Sequence, residues 1–144
     1  MYDRILVATD GSESASAVVE EAVGLARLSG ATLHALSVVD TRDYNTLPET
    51  KWLSVDEALT EEAEAAVEDV RERAVDSRVT VETAVESGVP HETIVAYATD
   101  HDVDLVVMGT HGRSGIDHFL LGSVAENVLR FAPVPVHVVR VGPD

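Results

Sequence analysis

Apolar runs alternate with amphipathic stretches from one end of the chain to the other, the pattern of repeated strand and helix units. Ile5-Leu6-Val7-Ala8 and Leu105-Val106-Val107-Met108 are continuously apolar, as central parallel strands covered on both faces require. Strands are predicted at residues 4–9, 32–39, 79–85, 104–109 and 136–140. Between the first two, Ala15, Val18, Val19, Ala22 and Ala26 recur at helical spacing, with Ser12 or Ser14 to cap the start and Gly30 to close the end. Leu59, Ala63, Ala66, Val67, Val70 and Ala74 form a second stripe, entered through Ser54-Val55-Asp56-Glu57, a capping-box pattern. Glu61, Glu62, Glu64, Glu68, Asp69 and Glu72 make its outer, solvated face. Pro90 can open a third helix with Ile94, Val95 and Ala98 inward, and Val124, Ala125, Val128 and Leu129 give a fourth its inner face.

This alternation with right-handed crossovers predicts an α/β fold: an open five-stranded parallel sheet with helices on both faces. Strand orders 3-2-1-4-5 and 2-1-3-4-5 both fit, and periodicity does not choose between them. In either, a ligand belongs at the carboxyl ends of the strands. Attention therefore falls on Asp10-Gly11-Ser12, on Asp40 with the loop after it, and on the segment from Gly109.

The 144 residues fit one domain, 1–144. No cysteine is present, which excludes disulfides and thiolate metal sites. No apolar run approaches the ~20 residues of a membrane span, and Met1-Tyr2-Asp3-Arg4 has no signal-peptide layout, so the protein is expected in the cytoplasm. A formal charge of −16 argues against nucleic acid or an anionic membrane as partner. Lys51 is the only lysine among ten basic residues. An acidic, lysine-poor chain suits molar salt, where the Debye length falls to ~3 Å, so a halophilic source is expected.

The chemistry concentrates in residues 109–123, which leave the buried fourth strand and end at a helix start. Gly109 and Gly112 can turn amide donors toward an anion. Gly122, Ser123 and Val124 would offer helix N-terminal amides, the positive end of the dipole and a hydroxyl. Without a ligand, the same glycines would be turns and Ser123-Val124-Ala125-Glu126 a capping box. The segment is neither a P-loop nor a dinucleotide fingerprint, because the lysine and the three spaced glycines those need are missing.

Here the chain resembles the universal stress protein family. The resemblance runs from Ile5-Leu6-Val7-Ala8-Thr9-Asp10-Gly11-Ser12 through Asp104-Leu105-Val106-Val107-Met108-Gly109-Thr110-His111-Gly112 to Pro133-Val134-Pro135-Val136-His137-Val138-Val139. Gly109, Gly112, Gly122 and Ser123 match the glycine pattern of the family's ATP-binding branch. The resemblance implies strand order 3-2-1-4-5, the Rossmann-like sheet of the adenine nucleotide alpha hydrolase-like folds. It implies ATP as ligand, with Asp10, after Ala8 and Thr9, near ribose and adenine. Val38 and Met108 would line the nucleoside pocket. Gly109, Gly112, Gly122, Ser123 and Val124 would hold phosphates, with Arg113 near them. Mg²⁺ or Mn²⁺ is expected mainly on phosphate oxygens, since the loop offers no carboxylate cage beyond Asp117. The family also implies a homodimer through the strand-five edge, where Val136, Val138 and Val139 need cover.

No catalytic residue is assigned. The six histidines include no metalloprotease spacing, and no nucleophile elbow occurs; His111 and His118 alone share the glycine loop. The expected role is a nucleotide-dependent stress-response or signalling module. The alternatives are a dimeric interaction protein of the same fold without nucleotide, or a weak ATPase or nucleotidyl-transferring enzyme. The loop at residues 40–53, with the single tryptophan Trp52, reads as a lid, a subunit contact or a variable loop.

Overall fold

Ile5, Leu6 and Val7 have no exposed surface, because the strand they form, β1 (Arg4–Ala8), is the middle of a five-stranded parallel sheet. The structure, a computed structural model, describes residues 2–44, 47–111 and 121–141. The other strands are β2 (Thr32–Asp40), β3 (Val81–Gly88), β4 (Leu105–Gly109) and β5 (Val136–Val139), and the order is β3-β2-β1-β4-β5. The fold class and strand order match expectation. Ile5 lies between Leu33 and Leu105, and Val7 between Ala35 and Val107. At the other end of β1, the Asp104 carboxylate accepts the N–H groups of Asp3 at 2.8 Å and Arg4 at 2.9 Å.

Alternate residues face opposite sides of the sheet. Ile5, Val7, Leu33 and Ala35 meet helices α1 (Ala15–Ser29) and α2 (Glu49–Asp76). Leu6, Leu36, Val106 and Met108 meet α3 (Pro90–Asp100) and α4 (Ser123–Phe131). Gly30 ends α1 at φ 70°, and its own N–H is 3.4 Å from the Arg27 carbonyl. No helix among the described residues is long and apolar enough to cross a membrane.

Several boundaries differ from the sequence reading. Helix α2 starts at Glu49 behind an extended Pro48, after a 3₁₀ turn at Thr41–Tyr44. The expected loop at 40–53 is therefore mostly helical, and Ser54 lies inside α2 rather than capping it. Lys51, Trp52, Leu53 and Ser54 are all exposed, so no apolar stripe marks the first turns. Strand β3 is shifted two residues later at its start and runs on to Gly88, in register with Asp40. Neither Ser12 nor Ser14 caps α1 by its side chain: Ser14 is helical at the cap, and the Ser12 hydroxyl turns to Asp10 at 2.6 Å. Leu129, expected inward, is exposed, whereas Tyr97 is buried on α3.

Candidate functional site

The strand order reverses direction between β1 and β4. The chain moves outward from β1 through β2 to β3, then returns to the other side of β1 as β4. Loops leaving β1 and β4 diverge there and open a crevice at the carboxyl ends. A cleft of about 740 Å³ occupies it, within the range of small-molecule sites.

Ala8, Thr9, Asp10, Val38, Met108, Gly109, Gly122, Ser123 and Val124 all line this one cleft. Gly112 and Arg113, with Asp117 and His118, fall outside the described residues. One wall is apolar, built from Leu36 and Val38 of β2, Met108 of β4, and Pro90 and Ile94 of α3. Asp10 lines the same cleft, its Oδ1 accepting the Ser12 N–H at 2.9 Å and the Ser12 hydroxyl at 2.6 Å. This local turn fixes the carboxylate beside the cleft.

The other wall is the start of α4. Gly122 is the N-cap and carries no side chain, and no side-chain cap is made. The capping box expected in the absence of a ligand therefore does not form, since Ser123 is already the first helical residue. The first amide with an intrahelical acceptor is Glu126, donating to the Gly122 carbonyl at 3.0 Å. Those of Ser123, Val124 and Ala125 precede it at the positive end of the helix dipole.

Two glycine roles differ from the sequence reading. The Gly122 N–H donates to the Thr110 carbonyl at 2.7 Å, so it is not an open donor. A Cβ on Gly122 would stand 3.1 Å from that same oxygen. Gly109 is not left-handed; a Cβ there would lie 3.1 Å from Val18 Cγ2 and 3.2 Å from the His111 carbonyl. It lets β4 approach α1. Gly11, in the turn after β1, is left-handed at φ 77°, with Ala66 Cβ 3.0 Å from where its own Cβ would be.

Thr110 anchors the loop a second time. The Val141 N–H donates to its hydroxyl at 3.1 Å, and His111 Nδ1 lies 3.1 Å from the same oxygen. Asp40, the last residue of β2, also lines the cleft, its oxygens taking Arg42 Nε at 2.9 Å and Nη2 at 2.8 Å. That guanidinium holds the Asp40 carboxyl below its usual range, mainly by hydrogen bonding.

Sequence reasoning placed the apolar stripe of α2 but missed the helix's part in the cleft. Leu59, Glu62 and Ala63 line the cleft, so Glu62 is exposed yet also faces the site. A helix following β2 must start near that strand's carboxyl end, which was the available signal. Pro90 and Ile94 were read only as helix start and core. A second recess, about 820 Å³, lies across the Thr9–Ser12 turn and carries Glu13, Glu62 and Asp69. Its guanidinium, Arg73, is engaged by Ser16 Oγ at 2.9 Å and by Asp69 at 3.2 Å. An anion is better served by the first cleft. Among the described residues, no three His, Asp or Glu side chains could together hold a metal ion.

The sequence profile described as Universal stress protein family matches residues 1–140. Universal stress protein MJ0531 of Methanocaldococcus jannaschii is 38% identical over 141 residues, covering 97% of this chain and 83% of the relative. The solved structure of MJ0577, a protein of the same organism, superposes with TM-score 0.88 at 34% identity, over 100% of this chain and 99% of that one. A universal stress protein solved in complex with cAMP gives TM-score 0.75 at 27% identity, over 98% and 99% of the two chains. The chain belongs to the universal stress protein family.

Proposed function

We propose that the protein binds an adenine nucleotide, ATP with Mg²⁺ or Mn²⁺, in the cleft between β1 and β4, and that binding sets the state of a stress-response module. The observation that carries this reading is the meeting of an apolar wall, a fixed carboxylate and an uncapped helix start in one cleft. Leu36, Val38, Met108 and Ile94 suit the faces of a purine. Asp10 suits ribose hydroxyls. The amides of Ser123 and Val124, with the Ser123 hydroxyl, suit phosphate oxygens, and the resemblance adds Gly112 and Arg113. Asp10, Asp40 and Glu62 line the same cleft. Polyanion binding there needs main-chain donors and a divalent cation more than bulk charge. The cAMP-bound relative supports a nucleotide as the ligand class.

The proposal extends to a cytoplasmic homodimer working at high salt, joined along β5. That strand is a sheet edge, and Val136, Val138 and Val139 are half-buried in the single chain. The experiment is mass spectrometry of ligand released when the purified protein is denatured. Recovery of an adenine nucleotide near one per chain is expected. A nucleotide-free protein that also gives no heat with ATP and Mg²⁺ would overturn the reading.

A further inference from the structure

Behind the cleft, outside its lining, lies a buried histidine with an unusual set of neighbours. His34 is near the start of β2, paired with Leu6 on β1 and Glu82 on β3, and is 3% exposed. Its Nδ1 is 2.7 Å from the Tyr97 hydroxyl on α3. Its Nε2 is buried with no hydrogen-bond partner among the described residues, and the Glu82 carboxylate stands 3.7 Å from it. Tyr97 stacks on His101 with ring centroids 3.7 Å apart, and His101 Nδ1 donates to the Tyr97 carbonyl at 3.0 Å. The charged or titratable groups around the imidazole are therefore Glu82 on β3, Arg4 on β1, Tyr97 on α3 and His101 just past its end, with Glu86 on β3 acting on Tyr97.

This cluster and the cleft share two elements. Pro90, Ile94 and Tyr97 follow one face of α3 at spacings of four and three. His34, Leu36 and Val38 alternate along the facing side of β2. Pro90, Ile94, Leu36 and Val38 line the cleft, while Tyr97 and His34 join at the other end of the same contact. We propose that His34 is a proton-operated latch: neutral, it seats α3 on the sheet; protonated, it loosens α3 and with it the apolar wall of the cleft.

Neutral imidazole presents one donor and one acceptor, whereas imidazolium presents two donors. Gaining a proton thus requires the Tyr97 hydroxyl to accept from Nδ1, and requires an acceptor for Nε2–H. Glu82 is two-thirds exposed and can swing in to accept, but the charge it meets stays buried under α3. Burial is the main cause that holds the His34 pKa below its usual 6.5; Glu82 opposes it, and His101 and Arg4 reinforce it. Tyr97, pushed up to about 12 by burial, keeps its proton throughout. The tight seat is then fully present above pH 6.5, weakens as pH falls toward the pKa of His34 in the folded protein, and weakens no further below it.

The test is made first on the unliganded protein. NMR follows the His34 ring from pH 8 to 5, and hydrogen exchange, corrected for intrinsic rates, follows the amides of α3. His34 is expected to titrate below 6.5, with α3 opening rising in step, by at most about tenfold per pH unit for one proton. Glu82→Gln is expected to move both midpoints down together, and His34→Gln to flatten the α3 profile. Exchange of α3 that ignores the titration of His34, or that keeps its pH dependence in His34→Gln, would overturn the latch. Should His34→Gln fail to fold, the joint shift in Glu82→Gln decides. The effect on the cleft rests on the nucleotide reading and is read separately: ATP with Mg²⁺ should bind more weakly at pH 5.5 than at 7.5 in the wild type, and equally at both in His34→Gln. Absence of ATP binding at both pH values would count against the nucleotide reading alone, and the exchange data would still judge the latch.

Discussion

The carbonyl of Thr110 accepts the N–H of Gly122 at 2.7 Å, so the two ends of the glycine-rich excursion are tied where β4 stops and α4 begins. The tie uses the Gly122 amide, so the proposed phosphate donors are the next ones, those of Ser123 and Val124. It also explains why a side chain at residue 122 would be tight, since its Cβ would stand 3.1 Å from the Thr110 oxygen. Gly122→Val is therefore expected to lose nucleotide binding and also to lower the melting temperature by several degrees, because the loop junction opens. Calorimetry with and without ATP checks both effects. An unchanged melting temperature would show that the tie is not needed.

The proposed site implies an unusual salt trend. ATP approaching a chain of formal charge −16 would be repelled at long range and held at short range, so screening would weaken repulsion more than binding. Affinity is expected to rise with Mg²⁺ and with salt up to molar concentration. Isothermal titration in a salt series checks this; a steady fall with salt would contradict it.

The same charge acts on folding. With 26 acidic residues against 10 basic, self-repulsion in dilute buffer opposes the compact state. Circular dichroism is expected to show structure lost at low salt and regained on adding KCl. Full structure in dilute buffer would remove the case for a high-salt interior.

Asp104 gives a pH-dependent prediction. Its carboxylate accepts the Arg4 and Asp3 amides, which hold its pKa below the usual value, the Arg4 bond contributing most. A depressed pKa means the stabilisation is present above the unfolded value near 4 and is lost as pH falls through the folded one. Asp104→Asn should lower stability modestly at pH 7 and flatten part of the acid side of the stability profile. Denaturant melts of both proteins between pH 3 and 7 measure it.

Legibility in the sequence follows what each segment touches. β1 and β4 are plain because Ile5–Val7 and Leu105–Met108 are buried on both faces, leaving no polar position to blur the pattern. The start of α2 is not, because Lys51 to Ser54 contact solvent and carry no stripe. The loop glycines were legible as a pattern and misread in part as geometry. Gly109 answers to Val18 and Gly122 to Thr110, both neighbours only in the folded chain. His34 and Tyr97, 63 positions apart, carry no local signal of their contact. Nine of the expected cleft residues meet because the strand order fixes which loops diverge, and strand order came from the resemblance rather than from periodicity.

The central claim is that main-chain amides at the start of α4 hold the phosphates, and one comparison isolates it. Proline at the first helical position keeps the helix while removing one N–H, so Ser123→Pro against Ser123→Ala separates the amide from the hydroxyl. Isothermal titration of ATP with Mg²⁺ at high salt should show Ser123→Pro weaker than Ser123→Ala by about tenfold, the worth of one charge-assisted hydrogen bond, at equal melting temperatures. Equal affinities in the two variants would contradict the claim.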